Sequence, residues 1–289
     1  LAGLTKFSGL TGFAMALCKS CKPCNFGLFL LRDKHYETDT CQKKWYSAFG
    51  EIIMSAVLEL PRTTSLNAVK KAVRFALEEE VSVTLSNVAW ETYDQFVQET
   101  MDKVSNPLFY YEEGQLLIMP KSPEHEFICD YVVLFINLVA IEWSINCGSL
   151  GSSTFQREDI ECGFEPDSCF YFENEPKIRG IERFDMTIHP APDLIIEVDI
   201  TSLSTKRESI FAAFGVPEIW RFDGARMQIL KLENGKYEIA GRSLALPLVT
   251  AEILSDFIKE TETLSRLEWS QKVIAWAREI KNYTSHGLK

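Results

Sequence analysis

The sequence has no run of twenty apolar residues free of charge, and a membrane-spanning helix needs about 20. Its longest apolar stretch, residues 127–145, is broken by Asp130, Asn137 and Glu142, which predicts a buried helix and no membrane span. No internal repeat or low-complexity segment occurs, so a solenoid is excluded. No small-residue cleavage site follows the apolar bias around Leu10–Leu17, and no secretion signal is expected. Positive charge is scarce overall: 30 Lys+Arg stand against 41 Asp+Glu, a net charge of −11. It is also unevenly placed. Residues 1–46 hold seven basic residues (Lys6, Lys19, Lys22, Arg32, Lys34, Lys43, Lys44) against Asp33, Glu37 and Asp39, a charge of +4, so the remainder carries −11 − 4 = −15. An acidic body argues against broad non-specific adhesion to nucleic acid or to anionic membrane. No recognition helix or zinc finger is evident.

The 289 residues fit one large domain, or one domain with an appendage. An apolar fraction of 46% is ample for a real core. Residues 1–80 read as a poorly structured or atypical N-terminal extension, with helical spacing only at Val69, Val73 and Ala76. Within it, Cys18, Cys21, Cys24 and Cys41 could hold zinc or an iron–sulfur cluster, or belong to a disordered leader. Cys129, Cys147, Cys162 and Cys169 have no regular spacing, and buried free thiols in a reducing cytoplasm are expected.

Residues 81–289 are orderly. A helix is predicted over 90–101 and a hairpin over 109–119, turning near Glu113-Gly114. Ser122-Pro-Glu-His-Glu126 opens a long buried helix, with serine at the N-cap and proline at the first helical position. Strands are predicted over 167–172 and 193–200. Thr205-Lys-Arg-Glu208 reads as a capping box that places Lys206 and Arg207 in the first turn of a short helix. Three strands follow, separated by the turn dipeptides Asp223-Gly224 and Asn234-Gly235, and residues 251–281 read as helical. Mixed strands around a long buried helix mean α/β or α+β.

The octapeptide Asp193-Leu-Ile-Ile-Glu-Val-Asp-Ile200 is the most informative segment. Strand side chains alternate faces, so Leu194, Ile196, Val198 and Ile200 share an apolar face, while Glu197 and Asp199 share the other, about 6–7 Å apart. Aligned carboxylates repel and resist desolvation. A hard divalent cation would compensate them; a half-exposed strand with a solvated acidic face would also explain the pattern. Glu165-Pro-Asp167 opens the preceding strand, and the turn-forming segments between allow Asp167 to lie beside Glu197. Two such carboxylates can hold a metal that polarises a phosphodiester. Lys206 and Arg207 stand where a helix dipole disfavours cations, a weak pointer to function against simple extension into solvent. Glu124 and His125, at the start of the long helix, form a further candidate pair beside an ordinary structural role.

Gly163-Phe-Glu-Pro-Asp-Ser-Cys-Phe-Tyr171, Pro192-Asp-Leu-Ile-Ile-Glu-Val-Asp-Ile-Thr-Ser202 and Gly215-Val-Pro-Glu-Ile-Trp-Arg221 together resemble the Uma-type putative restriction endonuclease family of the PD-(D/E)XK nuclease superfamily. The resemblance runs from about Val81 to Arg278 and includes Ser122-Pro-Glu-His125 and Gly151-Ser-Ser-Thr-Phe-Gln-Arg157. It implies an α/β fold with a restriction-endonuclease-like core, a mixed sheet flanked by helices. It also implies Asp167 and Glu197 as ligands of Mg²⁺ or Mn²⁺, and DNA as substrate. The superfamily lysine would stand two residues after Glu197, where this chain has Asp199, which becomes a third candidate ligand. The positive charge would then come from Lys206 or Arg207. A cytoplasmic, metal-dependent endodeoxyribonuclease is the expectation. Beside it stand a catalytically silent binding or assembly module, with a homodimer as one form that assembly could take, and a phosphoesterase acting on a substrate other than nucleic acid.

Overall fold

The computed structural model describes residues 14–16, 29–31, 55–59, 64–100, 106–200 and 207–286. The chain divides between Ile52 and Ile53. In the first unit, β1 (Ala14–Ala16) and β2 (Phe29–Leu31) form an antiparallel ribbon. The cysteines at 18, 21, 24 and 41 lie outside the described residues.

The second unit begins upstream of the expected 80/81 boundary. It contains β3 (Ser55–Glu59), α1 (Leu66–Glu79), β4 (Ser82–Ser86), α2 (Trp90–Thr100), β5 (Leu108–Glu112), β6 (Gln115–Met119) and α3 (Pro123–Trp143). Next come β7 (Gly148–Ser149), β8 (Phe155–Arg157), β9 (Cys162–Phe164), β10 (Ser168–Tyr171), α4 (Glu175–Ile178) and β11 (Leu194–Val198). The remainder is α5 (Glu208–Ala213), β12 (Glu218–Phe222), β13 (Met227–Glu233), β14 (Lys236–Ile239), α6 (Ala251–Glu260) and α7 (Arg266–His286). One six-stranded sheet runs β3-β4-β6-β5-β9-β8, and a second runs β14-β13-β12-β11-β10-β7. The second is mixed: β11 is parallel to β12 and antiparallel to β10. The parallel step uses α5 as its crossover, as a parallel pair requires.

The central strands β10 and β11 of the second sheet are buried on both faces. Leu194, Ile196 and Val198 pack with Trp220 and Ile229 beneath α3, α6 and α7, which contribute Phe135, Phe257 and Trp269. On the opposite face Ile195, Ile219 and Leu230 meet Leu108, Tyr110 and Phe164 of the first sheet and Phe211 of α5. The half-exposed alternative for the octapeptide therefore does not hold: every residue of β11 is buried. α1 and α2 cover the far side of the first sheet through Val69, Ala76, Tyr93 and Phe96.

Local codes account for several elements. Ser122 Oγ accepts the His125 N–H at 3.2 Å and Pro123 opens α3. Ile141 on α3 is 72% exposed, so the helix is less uniformly buried than its composition suggests. Asn234-Gly235 makes the expected two-residue hairpin, with φ of 49° and 79°. Asp223-Gly224 sits in a longer loop, because Asp223 Oδ1 accepts from the N–H groups of Ala225 and Arg226 at 3.0 and 2.9 Å. The single helix expected over 251–281 is two. A capping box restarts the chain: the Ser265 N–H donates to Glu268 Oε2 at 3.0 Å, and the Glu268 N–H donates to Ser265 Oγ at 3.3 Å. Among the described residues no helix is long and apolar enough to cross a membrane.

Candidate functional site

The register of β10 and β11 builds the site. Ser168 pairs with Ile196 in an antiparallel ladder, so one step further puts Asp167 across from Glu197. Residues so opposed have Cβ atoms about 4.5–5.5 Å apart on one face. The Asp167 carboxylate ends the ladder: Oδ2 accepts the Val198 N–H at 2.6 Å. Its Oδ1 lies 2.9 Å from His125 Nε2, but without the alignment of a hydrogen bond, and both atoms lack a hydrogen-bond partner. His125 is delivered by the first turn of α3 and is buried, as is Asp167.

Glu197 is 1% exposed. Its Oε2 stands 2.7 Å from Arg207 Nη1 and accepts the Tyr110 hydroxyl at 3.3 Å, whereas Oε1 is unpartnered. Burial pushes the Glu197 carboxyl well above the ordinary carboxylate range; Arg207 opposes the rise, and Asp167 and Asp199 add to it. Arg207 is itself 3% exposed. Its Nη2 pairs with Asp199 Oδ1, its Nη1 donates to Tyr110 Oη at 2.9 Å, and its guanidinium carbon lies 4.7 Å from the Tyr110 ring centroid. Three carboxylates (Asp167, Glu197, Asp199) against one guanidinium leave −3 + 1 = −2 when all are ionised.

The candidates named from sequence thus divide. Asp167, Glu197, Asp199, Arg207 and His125 come together. Glu124 is exposed on the first turn of α3, and no contact joins it to the carboxylates. Lys206 lies outside the described residues. Arg207 precedes α5 as its N-cap residue, one position before the first turn in which it was expected, and its cationic side chain there is compensated by Glu197 and Asp199. Asp193, at the head of the octapeptide, is structural: it accepts from the N–H groups of Phe172 and Asn174 at 2.6 and 3.0 Å. Glu165 is a strut as well. It accepts from Thr154 Oγ1 at 2.6 Å and the Phe109 N–H at 3.2 Å, and burial pushes its carboxyl up to about 7.

Tyr110 escaped the sequence reading. It is 87 residues from Glu197 and no local pattern marks it. Only the pairing of β5 with β9, with Tyr110 opposite Phe164, carries its hydroxyl to the carboxylates.

Among the described residues no three acid, histidine or cysteine side chains stand together as a ready-made metal cage. One oxygen of Glu197 and one of Asp199 are turned to Arg207. What is left suits a hard cation. Asp167 Oδ1 and Glu197 Oε1 are buried oxygens that make no hydrogen bond, the first lying 2.9 Å from His125 Nε2, and Mg²⁺ is commonly held by one or two carboxylates with water completing its shell.

A family model described as "Uma2: Putative restriction endonuclease" matches residues 90–258. No curated protein matches the chain. Among solved structures, a putative nuclease belonging to DUF820 from Anabaena variabilis ATCC 29413 aligns with a TM-score of 0.41 and 18% identity, covering 56% of this chain and 98% of that one.

Proposed function

The chain belongs to the Uma2 family of putative restriction endonucleases, and from that premise we propose that it is a divalent-metal-dependent endonuclease hydrolysing DNA phosphodiester bonds. One observation carries the reading: Asp167 and Glu197 face each other across two strands, each buried and each with one oxygen that makes no hydrogen bond, that of Asp167 lying beside His125 Nε2. Asp167 Oδ1 and Glu197 Oε1 would hold Mg²⁺ or Mn²⁺, with Asp199 close behind. Such an ion, when bound, polarises the phosphodiester and lowers the pKa of water.

The chain's own residues supply the rest. The Val198 N–H fixes the Asp167 carboxylate, so its other oxygen, beside His125 Nε2, is held in place before any substrate arrives. Tyr110 and Arg207 fix Glu197 in the same way. His125, beside Asp167 with both ring nitrogens unpartnered, is placed to accept the proton as a water oxygen bonds to phosphorus. The bond from phosphorus to the leaving deoxyribose oxygen then breaks, and that oxygen takes a proton from solvent. Arg207 is committed to the carboxylates, and Lys206, the other member of the basic pair, is the cation we assign to the scissile phosphate.

The test is cleavage of plasmid and linear DNA with Mg²⁺, Mn²⁺ or chelator, by the wild type and by Glu197→Gln. Cleavage that needs the metal and vanishes in the variant is expected; unchanged cleavage by Glu197→Gln overturns the assignment. A second reading, a nuclease-fold module that binds without cutting, is favoured by Asp199 in the lysine slot and by the neutralising grip of Arg207. DNA binding with no turnover under either metal would select it.

A further inference from the structure

Arg207 is bound as a cation is bound. Its guanidinium is buried, bridges Glu197 Oε2 and Asp199 Oδ1, and lies over the Tyr110 ring. A guanidinium cannot lose its proton in a protein, so this is a permanent charge placed between two carboxylates. The atoms that make no hydrogen bond all belong to the other side of the cluster: Glu197 Oε1, and Asp167 Oδ1 and His125 Nε2, which stand 2.9 Å apart. One carboxylate, Glu197, therefore serves two cation positions, one with each oxygen. A divalent ion bridging Glu197 Oε2 and Asp199 would have to sit about 2.0–2.6 Å from each oxygen, in the space from which Nη1 approaches Glu197 at 2.7 Å. The arginine and such an ion exclude each other.

We propose that the acidic cluster is a two-cation site in which Arg207 permanently fills the position between Glu197 and Asp199, limiting the protein to one divalent ion, on the Asp167 side, and that removing the guanidinium opens a second divalent position. This rests on the reading of Asp167 and Glu197 as metal ligands. The consequence for chemistry is a single-metal centre with a fixed organic charge beside it. Asp199, in the slot of the missing in-strand lysine, acquires a role as the carboxylate that anchors the plug.

Mn²⁺ binding stoichiometry tests this without reference to activity. It is measured by calorimetry and by electron paramagnetic resonance of free Mn²⁺ on the full chain, at about 0.15 M salt to screen surface charge. The wild type should bind one ion, Arg207→Met two, and the double variant Arg207→Met/Asp199→Asn one. Two ions in the wild type would overturn the plug while leaving the metal reading intact. No ion in the wild type removes the metal reading and this inference with it. One ion in folded Arg207→Met, or a second ion that persists in the double variant, also overturns it. If Arg207→Met is unfolded in chelator, its refolding is followed as Mn²⁺ is added. Refolding with a dependence of two ions per chain is expected, and dependence on one ion, or no refolding, refutes the proposal.

Discussion

Removing the Glu218 carboxylate should destabilise the protein by about 3 kcal/mol. Glu218 opens β12 and is wholly buried. It accepts from Trp220 Nε1 at 2.9 Å and from the N–H groups of Leu244 and Ala245 at 3.0 and 2.9 Å, pinning the loop before α6 to the sheet. In Glu218→Ala the Trp220 indole N–H is left inside the core without an acceptor, at a cost of about 1–3 kcal/mol. The two backbone donors lie on a segment whose Leu244 side chain is exposed, so water can satisfy them in part and they add less. Urea unfolding at neutral pH measures the sum; a loss below about 1 kcal/mol would refute the reasoning. The same group has a pH signature. Burial pushes the Glu218 carboxyl above its ordinary value of 4.5, against the pull of its hydrogen bonds. A carboxyl with a raised folded-state pKa lends stability that is complete below the unfolded value and is lost as pH rises through the folded one. Glu218→Gln, whose amide imitates the protonated acid, lacks that dependence. The stability advantage of wild type over Glu218→Gln should therefore shrink as pH climbs from about 4. Glu197 drifts the same way in both proteins and cancels in the comparison. An advantage that stays constant or grows with pH would sink the argument.

Two further changes test the two faces of the first sheet. A Cβ at Gly163 would stand 2.8–2.9 Å from two ring carbons of Tyr93, so Gly163→Ala should cost about 1–3 kcal/mol by overpacking. The cost should fall well short of additive with Tyr93→Ala, and a neutral Gly163→Ala by thermal melting would contradict the close approach. Tyr110→Phe keeps the ring under Arg207 but deletes the hydroxyl shared by Arg207 and Glu197. A loss of about 1 kcal/mol in urea unfolding is expected, with folded structure retained by circular dichroism; an increase in stability would show that the hydroxyl is not a useful partner there.

Most of what is local was legible in the order of residues. Alternation in the octapeptide separated Glu197 and Asp199 from Leu194, Ile196 and Val198, and these apolar residues do line one core. Serine followed by proline announced α3, and Asn-Gly announced the β13–β14 turn, because these signals act within a few residues. The capping box at Ser265 and Glu268 was equally local, but the periodicity of residues 251–281 masked it. Other features depend on which surfaces meet. Burial of the acidic face of β11 comes from the first sheet and α5 closing over it, contacts between segments far apart in the chain. Tyr110 reaches Glu197 only through the pairing of β5 with β9. The basic pair at 206 and 207 suggested a charge near the site; that Arg207 is spent on Glu197 and Asp199 follows from where the chain enters α5. Alternation and capping are properties of neighbours along the backbone, whereas desolvation and charge pairing belong to atoms that meet only when the sheets close. For that reason the acids, Arg207 and His125 could be singled out one by one, whereas their pairing atom by atom, and Tyr110, could not.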